Sequence, residues 1–167
     1  MQIKLNDLYL YPLNAEEFSL WINDLPQLEK NLNSTYCAEK VDGILKDVIL
    51  SQLILGLSDS PNNWNWYTCW FLIRKSDKKI IGILSFKGIP NSNGEVNIGY
   101  ALAEEFRHKG YMTQAVLAIC KWAKQHKEVK SIIAETKTDN YSSQKLLKRC
   151  GFEQYESCSA SLKFRQK

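Results

Sequence analysis

Apolar residues change their spacing midway through the chain, and the change divides it into a helical first part and a strand-rich remainder. Residues 3–11 alternate loosely and predict an opening strand, with Asp7 marking a turn. Asn14 then caps a helix running through Glu16, Glu17, Leu20 and Trp21, and a shorter helix follows over residues 25–32 with Pro26 at an early helical position. Over residues 39–57, Val41, Ile44, Leu45, Val48, Ile49, Ile54 and Leu55 mostly keep helical spacing, and Gly56 with Asp59-Ser60-Pro61 ends the run. Residues 62–65 predict a loop.

From Trp66 the period drops towards two. Residues 66–74 are aromatic and β-branched, Ser76-Asp77-Lys78-Lys79 makes a hairpin turn, and residues 80–86 form the next strand. Asn91-Ser92-Asn93-Gly94 turns the chain into a third strand over residues 95–102, which completes an antiparallel meander. A long helix over residues 110–127 places Met112, Ala115, Val116, Ile119, Cys120 and Ala123 on one side. The compact apolar strand at residues 131–135 is buried enough to run parallel to residues 95–102, with that helix as the crossover. A capped helix and a closing antiparallel pair, residues 152–157 and 161–165, finish the chain. The fold class expected is α/β (α+β): one domain over residues 1–167, with a mixed and mostly antiparallel sheet.

Two junctions carry chemistry. After the strand at residues 95–102, the basic turn Arg107-His108-Lys109-Gly110 opens directly onto the helix beginning Tyr111-Met112-Thr113. Unpaired N–H groups, the positive end of the helix dipole and cationic side chains converge there, as a pyrophosphate requires. Arg107 has a second option, an ion pair with Glu104 or Glu105. Downstream, Asp139 or Asn140 caps a helix whose Ser143, Leu146, Leu147 and Cys150 share one face, Gly151 supplies the left-handed stop, and Phe152 turns inward.

The spacing Arg107-x-x-Gly110-x-Met112 resembles the acyl-CoA-binding turn of the GNAT superfamily, the Gcn5-related N-acetyltransferases, usually Gln/Arg-x-x-Gly-x-Gly/Ala. Met112 departs from the small residue usual there. Asn140-x-x-Ser143, the following leucines and Gly151-Phe152 resemble the same superfamily's second signature, in the same order. The resemblance spans essentially the whole chain, is strongest over residues 79–155, and is closest to the branch containing ribosomal-protein N-terminal acetyltransferases.

This resemblance implies a GNAT fold with helices on both faces and the central parallel pair splayed for acetyl-CoA. Tyr100, Ala101 and Leu102 would then offer backbone groups to the pantetheine arm, and the amides of His108, Lys109, Gly110, Tyr111, Met112 and Thr113 would hold the pyrophosphate, aided by Arg107. Asn140 matches a position that hydrogen-bonds the cofactor arm, and Ser143 one that lies near the sulfur and donates to the thiolate. Glu95, where several members of the family place a general base, and Glu135, at a strand end facing a ligand crevice, both stand as candidate bases, beside water. The implied reaction is direct transfer of acetyl to a primary amine of a peptide or protein N-terminus or of a small molecule. A non-catalytic acyl-CoA-binding domain is the alternative.

The remaining features narrow this little further. A net charge of +4 suits an anionic ligand and is too small and dispersed to argue for nucleic acid. Five cysteines without C-x-x-C spacing and only two histidines give a metal site no support. Glycine motifs of nucleotide-binding enzymes are missing. No signal peptide and no membrane-length apolar run are visible, so the cytoplasm and no membrane association are expected. The aromatic patch Trp64, Trp66, Tyr67, Trp70 and Phe71 is expected to be mostly core, with one or two members at residues 63–65 walling the acceptor site. A monomer or a homodimer both fit.

Overall fold

The structure is a computed structural model describing residues 1–167. The side chains of Ile44 and Leu45, two of the apolar positions counted for the third helix, lie outside the described residues. Nine strands form one sheet in the order β1 (Ile3–Lys4), β2 (Leu8–Pro12), β4 (Cys69–Arg74), β5 (Lys79–Phe86), β6 (Glu95–Leu102), β7 (Ser131–Lys137), β9 (Ser161–Gln166) and β8 (Glu153–Ser157), with β3 (Thr35–Tyr36) attached separately to β5. The opening strand expected over residues 3–11 is instead a hairpin. β1 (Ile3–Lys4) pairs antiparallel with β2 (Leu8–Pro12), and the bend closes where the Leu5 amide donates to the Leu8 carbonyl at 2.9 Å, next to Asp7.

Asn14 and Glu17 form a reciprocal capping box at the start of α1 (Ala15–Asn23), satisfying two otherwise orphaned donors. α2 (Leu25–Leu32) starts with Pro26 in its first turn and ends on Asn33 in the left-handed region. β3 (Thr35–Tyr36), which no apolar alternation announced, then adds parallel to the beginning of β5. α3 (Gly43–Ser58) follows, starting later than the pattern from residue 39 suggested. The loop predicted at residues 62–65 is a 3₁₀ turn, Pro61–Trp66, and the strand predicted from Trp66 begins only at Cys69. The reason is local: Trp64 donates from its indole to the Leu13 carbonyl at 2.7 Å, the Thr68 hydroxyl reaches the same carbonyl at 2.7 Å, and Tyr67 donates to Asp59 at 2.7 Å. Trp64 is thereby committed to packing edge-on against Phe18. Trp66, Trp70 and Phe71 are buried.

β4 (Cys69–Arg74), β5 (Lys79–Phe86) and β6 (Glu95–Leu102) form the expected antiparallel meander. α4 (Tyr111–Ala123) crosses over to β7 (Ser131–Lys137), which lies parallel to β6. α5 (Tyr141–Arg149), β8 (Glu153–Ser157) and β9 (Ser161–Gln166) close the chain, with Gly151 at φ 81° as the anticipated left-handed stop.

Helices cover both faces of the sheet, and each face has its own core. On one side Trp70, Leu84, Ile98, Ala134 and Phe164 meet Ala115, Val116 and Ile119 of α4 and Leu147 of α5. On the other Phe71, Ile73 and Ile80 meet Phe18 and Trp21 of α1, Leu28 of α2 and Ile49 of α3.

The turn that starts β6 sets the β6–β7 register. Gly94 sits at φ 74°, and its carbonyl accepts from the amides of Lys130 and Ser131 at 2.8 and 3.2 Å. A Cβ there would lie 2.6 Å from the Glu128 carbonyl oxygen. Gly94→Ala should therefore lower stability by about 2 kcal/mol, read as a shifted urea midpoint at constant slope.

Candidate active site

The parallel pairing of β6 and β7 stops short. Its partners run Glu95↔Ser131, Val96↔Ile132, Asn97↔Ile133 and Ile98↔Ala134, and there they end. β6 continues to Leu102 with only β5 beside it, and β7 continues to Lys137 with only β9. The strands diverge beyond Ile98, leaving the outer edge of Gly99, Tyr100, Ala101 and Leu102 without a strand partner. Backbone edges of this kind inside a fold require a ligand or ordered water.

Directly beyond lies the basic turn. A short 3₁₀ turn, Glu104–Phe106, anchors it through buried Phe106. His108 at φ 63° and Gly110 at φ 77° bracket Lys109, so successive amides curl around one point. Gly110 caps α4 without any side-chain bond. Among the described residues, the amides of 108 to 113 donate to no backbone acceptor outside the helix. Free amides at a helix start, a positive dipole end and a nest-like curl together make an anion cradle.

A groove of about 690 Å³ joins the open strand edge, this cradle and the first turns of α5. It brings together Tyr100, Ala101, Leu102, Arg107, His108, Gly110, Tyr111, Met112, Thr113, Asn140 and Ser143. Lys109 is not among the lining residues. Its ammonium turns back to the Glu105 carbonyl at 3.1 Å and lies 5.7 Å from the Phe106 ring centroid. Arg107 pairs with neither Glu104 nor Glu105. It donates to the Leu102 carbonyl at 3.2 Å and faces Glu39 at 3.6 Å. Both members of that pair are half exposed, so their mutual attraction is weak.

Asn140 caps α5 by accepting from the Ser143 amide at 3.1 Å. That contact uses its carbonyl oxygen and leaves the side-chain amide hydrogens free to face the groove. Ser143 meets Tyr100 across the groove, with hydroxyl oxygens 2.8 Å apart. Burial pushes the Tyr100 phenol up to about 12.

The two candidate bases are placed very differently. Glu95 opens β6, four residues before Gly99, or about 13 Å at the usual strand rise. Its carboxylate accepts from Arg165 at 2.8 Å and from Asn91 at 3.3 Å. Glu135 is the first residue of β7 past the last β6 pair, exposed, and accepting from the Ser161 hydroxyl at 2.5 Å. Alternation sends Ile98, Tyr100 and Ala134 to the α4 side of the sheet, hence Gly99 and Glu135 to the other. Glu135 and Ser143 thus approach the gap between the strands from opposite faces.

Glu39, Ser142, Lys145 and Arg149, none of them singled out from the sequence, also line the groove, as does Leu146, read there only as part of the apolar face of α5. Four of them were legible: residues 142, 145, 146 and 149 repeat the i, i+3, i+4, i+7 spacing one position away from the buried face of α5. Glu39 had no such signal, because its place depends on how β3 hands the chain to α3.

Residues 7–153 match the family model described as an acetyltransferase (GNAT) domain. The N-acetyltransferase YjdG of Bacillus subtilis is 34% identical over 91 residues, 54% of each chain. The ribosomal-protein-serine acetyltransferase of Escherichia coli is 33% identical over 86 residues, 52% of this chain and 48% of that one. The chain spans about half the length of the curated relatives it matches. Among solved structures, a ribosomal L7/L12 alpha-N-protein acetyltransferase in complex with coenzyme A superposes with a TM-score of 0.67 at 15% identity, covering 99% of this chain and 97% of that one.

Proposed function

The chain belongs to the GNAT acetyltransferase family, and on that premise we propose that it is an enzyme moving acetyl from acetyl-CoA to a primary amine. The observation that carries this reading is the early end of β6–β7 pairing beside an amide cradle with nothing bound from within the chain. An extended, hydrogen-bonding arm ending in a pyrophosphate is the ligand such a pair of features fits. Gly99, Tyr100, Ala101 and Leu102 would pair with the arm, and the amides from His108 to Thr113, Lys109 included, would hold the phosphates. Asn140 would steady the arm from α5, and Arg107, Lys145 and Arg149 would supply positive charge.

Acetyl transfer needs a neutral amine, a held thioester and a proton for the departing sulfur. Glu135 takes the proton from the amine on one face of the sheet, while Ser143 serves the sulfur from the other. Glu95 is the weaker base, since Arg165 and Asn91 already occupy its carboxylate far from the gap. The name of the Escherichia coli relative, a ribosomal-protein-serine acetyltransferase, supports a protein as one acceptor class, for which a free N-terminus is the amine proposed; a small-molecule amine is the other. A domain that only binds acyl-CoA would need the cradle and neither side chain.

Thermal unfolding with saturating ligand tests the cofactor site first. At about a hundred times the dissociation constant, acetyl-CoA and CoA should each add roughly 2.7 kcal/mol, and ATP nothing. Amine-dependent release of CoA then separates an enzyme from a binding domain. Lack of stabilisation by acetyl-CoA would remove the reading's physical basis.

A further inference from the structure

The contact between Tyr100 and Ser143 joins residues from a strand and a helix, and each oxygen is held independently. Tyr100 packs on the α4 side against the core. Ser143 is fixed in the first turn of α5, where its backbone amide donates a hydrogen bond to Asn140 Oδ1. Among the described residues neither hydroxyl has another side-chain partner, and both residues line the groove. A serine hydroxyl carries one proton and accepts through its lone pairs. Phenols are far stronger acids than aliphatic alcohols and hence the better hydrogen-bond donors, so in this pair the phenol donates and Ser143 Oγ accepts. The phenol's burial keeps it protonated up to about 12, and so a donor throughout the neutral and mildly alkaline range. The proton on Ser143 must then point away from Tyr100, and the open direction is the groove.

We propose that Tyr100 is a positioning residue for Ser143, turning the serine proton towards the sulfur of the departing thiolate and stabilising negative charge on Oγ as that proton moves. This rests on the acetyl-transfer reading above. As the carbon–sulfur bond breaks, its electron pair stays on sulfur and the Ser143 proton passes to it. The acetylated nitrogen loses one proton to Glu135 and then to water, and water returns one to Ser143. Tyr100 keeps its own proton throughout, so the balance is one proton from amine to thiol. A serine alone is a poor proton source at neutral pH, which is the deficiency the phenol offsets.

Tyr100→Phe keeps the ring and removes only the oxygen. The decisive readout is the thiol of bound CoA, titrated through its thiolate absorbance, because a merely structural tie between strand and helix would not move it. The wild-type protein should lower the pH at which the bound thiol ionises relative to free CoA. Tyr100→Phe and Ser143→Ala should each raise it again, and the double variant no further than Ser143→Ala. In turnover, Tyr100→Phe should cost roughly tenfold in kcat, with KM for acetyl-CoA within about twofold. CoA binding with an unchanged thiol titration in both variants overturns the proposal and leaves the cofactor site standing. Failure of the wild-type protein to bind CoA overturns both. Binding without amine turnover still lets the titration decide the pair.

Discussion

Glu135→Gln should lower kcat for amine acetylation by about a hundredfold, with KM for acetyl-CoA unchanged. Glutamine keeps the shape of the side chain and can still accept from Ser161, so the closing β7–β9 pair survives. Only the capacity to take a proton disappears. KM for the cofactor is spared because Glu135 is not among the residues that line the groove and the cradle. Glu95→Gln is the control. It weakens the bond from Arg165, costs some stability, and should leave turnover close to wild type. Steady-state CoA release against amine concentration and pH measures both. A large loss in Glu95→Gln and none in Glu135→Gln would exchange the two roles, and no loss in either would assign deprotonation to water.

Gly82→Val should be the most destabilising single change in the strands around the site, by on the order of 3 to 5 kcal/mol. Gly82 pairs with Leu102 between β5 and β6. A Cβ there would fall 2.6 Å from the Ala101 carbonyl oxygen and 3.0 Å from Leu102 Cδ1. The first of these is backbone and cannot swing aside, so the two strands must separate. The separation strikes the segment whose free edge is proposed to hold the pantetheine arm. Denaturant unfolding should show the loss, and the stabilisation by acetyl-CoA should shrink with it. An unfolding midpoint within about 0.5 kcal/mol of wild type would show that the strands yield without strain.

How far the sequence announces this structure depends on what each feature rests upon. β5, β6, α5 and the glycine stop at Gly151 follow from local periodicity and caps and stand close to where the pattern put them, whereas β4 starts at Cys69 rather than Trp66 and α4 ends at Ala123 rather than Lys127. The register that opens the gap at Ile98 and Ala134 is a long-range property. No local pattern predicts it, and it entered only through the resemblance of two motifs. β3 is two residues long and borrows its pairing from β5, so nothing in its own composition marks it. Trp66 read as strand because aromatic residues favour strands, yet bonds from Trp64, Tyr67 and Thr68 hold that stretch in a turn. For Arg107 the sequence offers an ion pair with Glu104 or Glu105 as one of two options, yet the carboxylate facing it comes from residue 39, on the segment before α3. The side chain of Tyr100 drew no attention beyond its backbone, since its partner lies forty-three positions away.

The two cores on opposite faces of the sheet have a consequence for how this protein can change. One lies on the side of the cradle and packs α4 and α5 on residues from Leu8 and Leu10 through to Phe164; the other packs α1, α2 and α3 on Phe71, Ile73 and Ile80. The helix residues Phe18, Trp21, Leu28 and Ile49 belong to a different cluster from the residues under the cradle, so substitutions in the two sets should add rather than couple. Volume-conserving substitutions among Phe18, Trp21, Leu28 and Ile49 should therefore leave the anion cradle in place, whereas truncations there would cost the stability of the whole fold. Under the proposed reading, such a chain is free to drift from one amine to another while its donor stays the same.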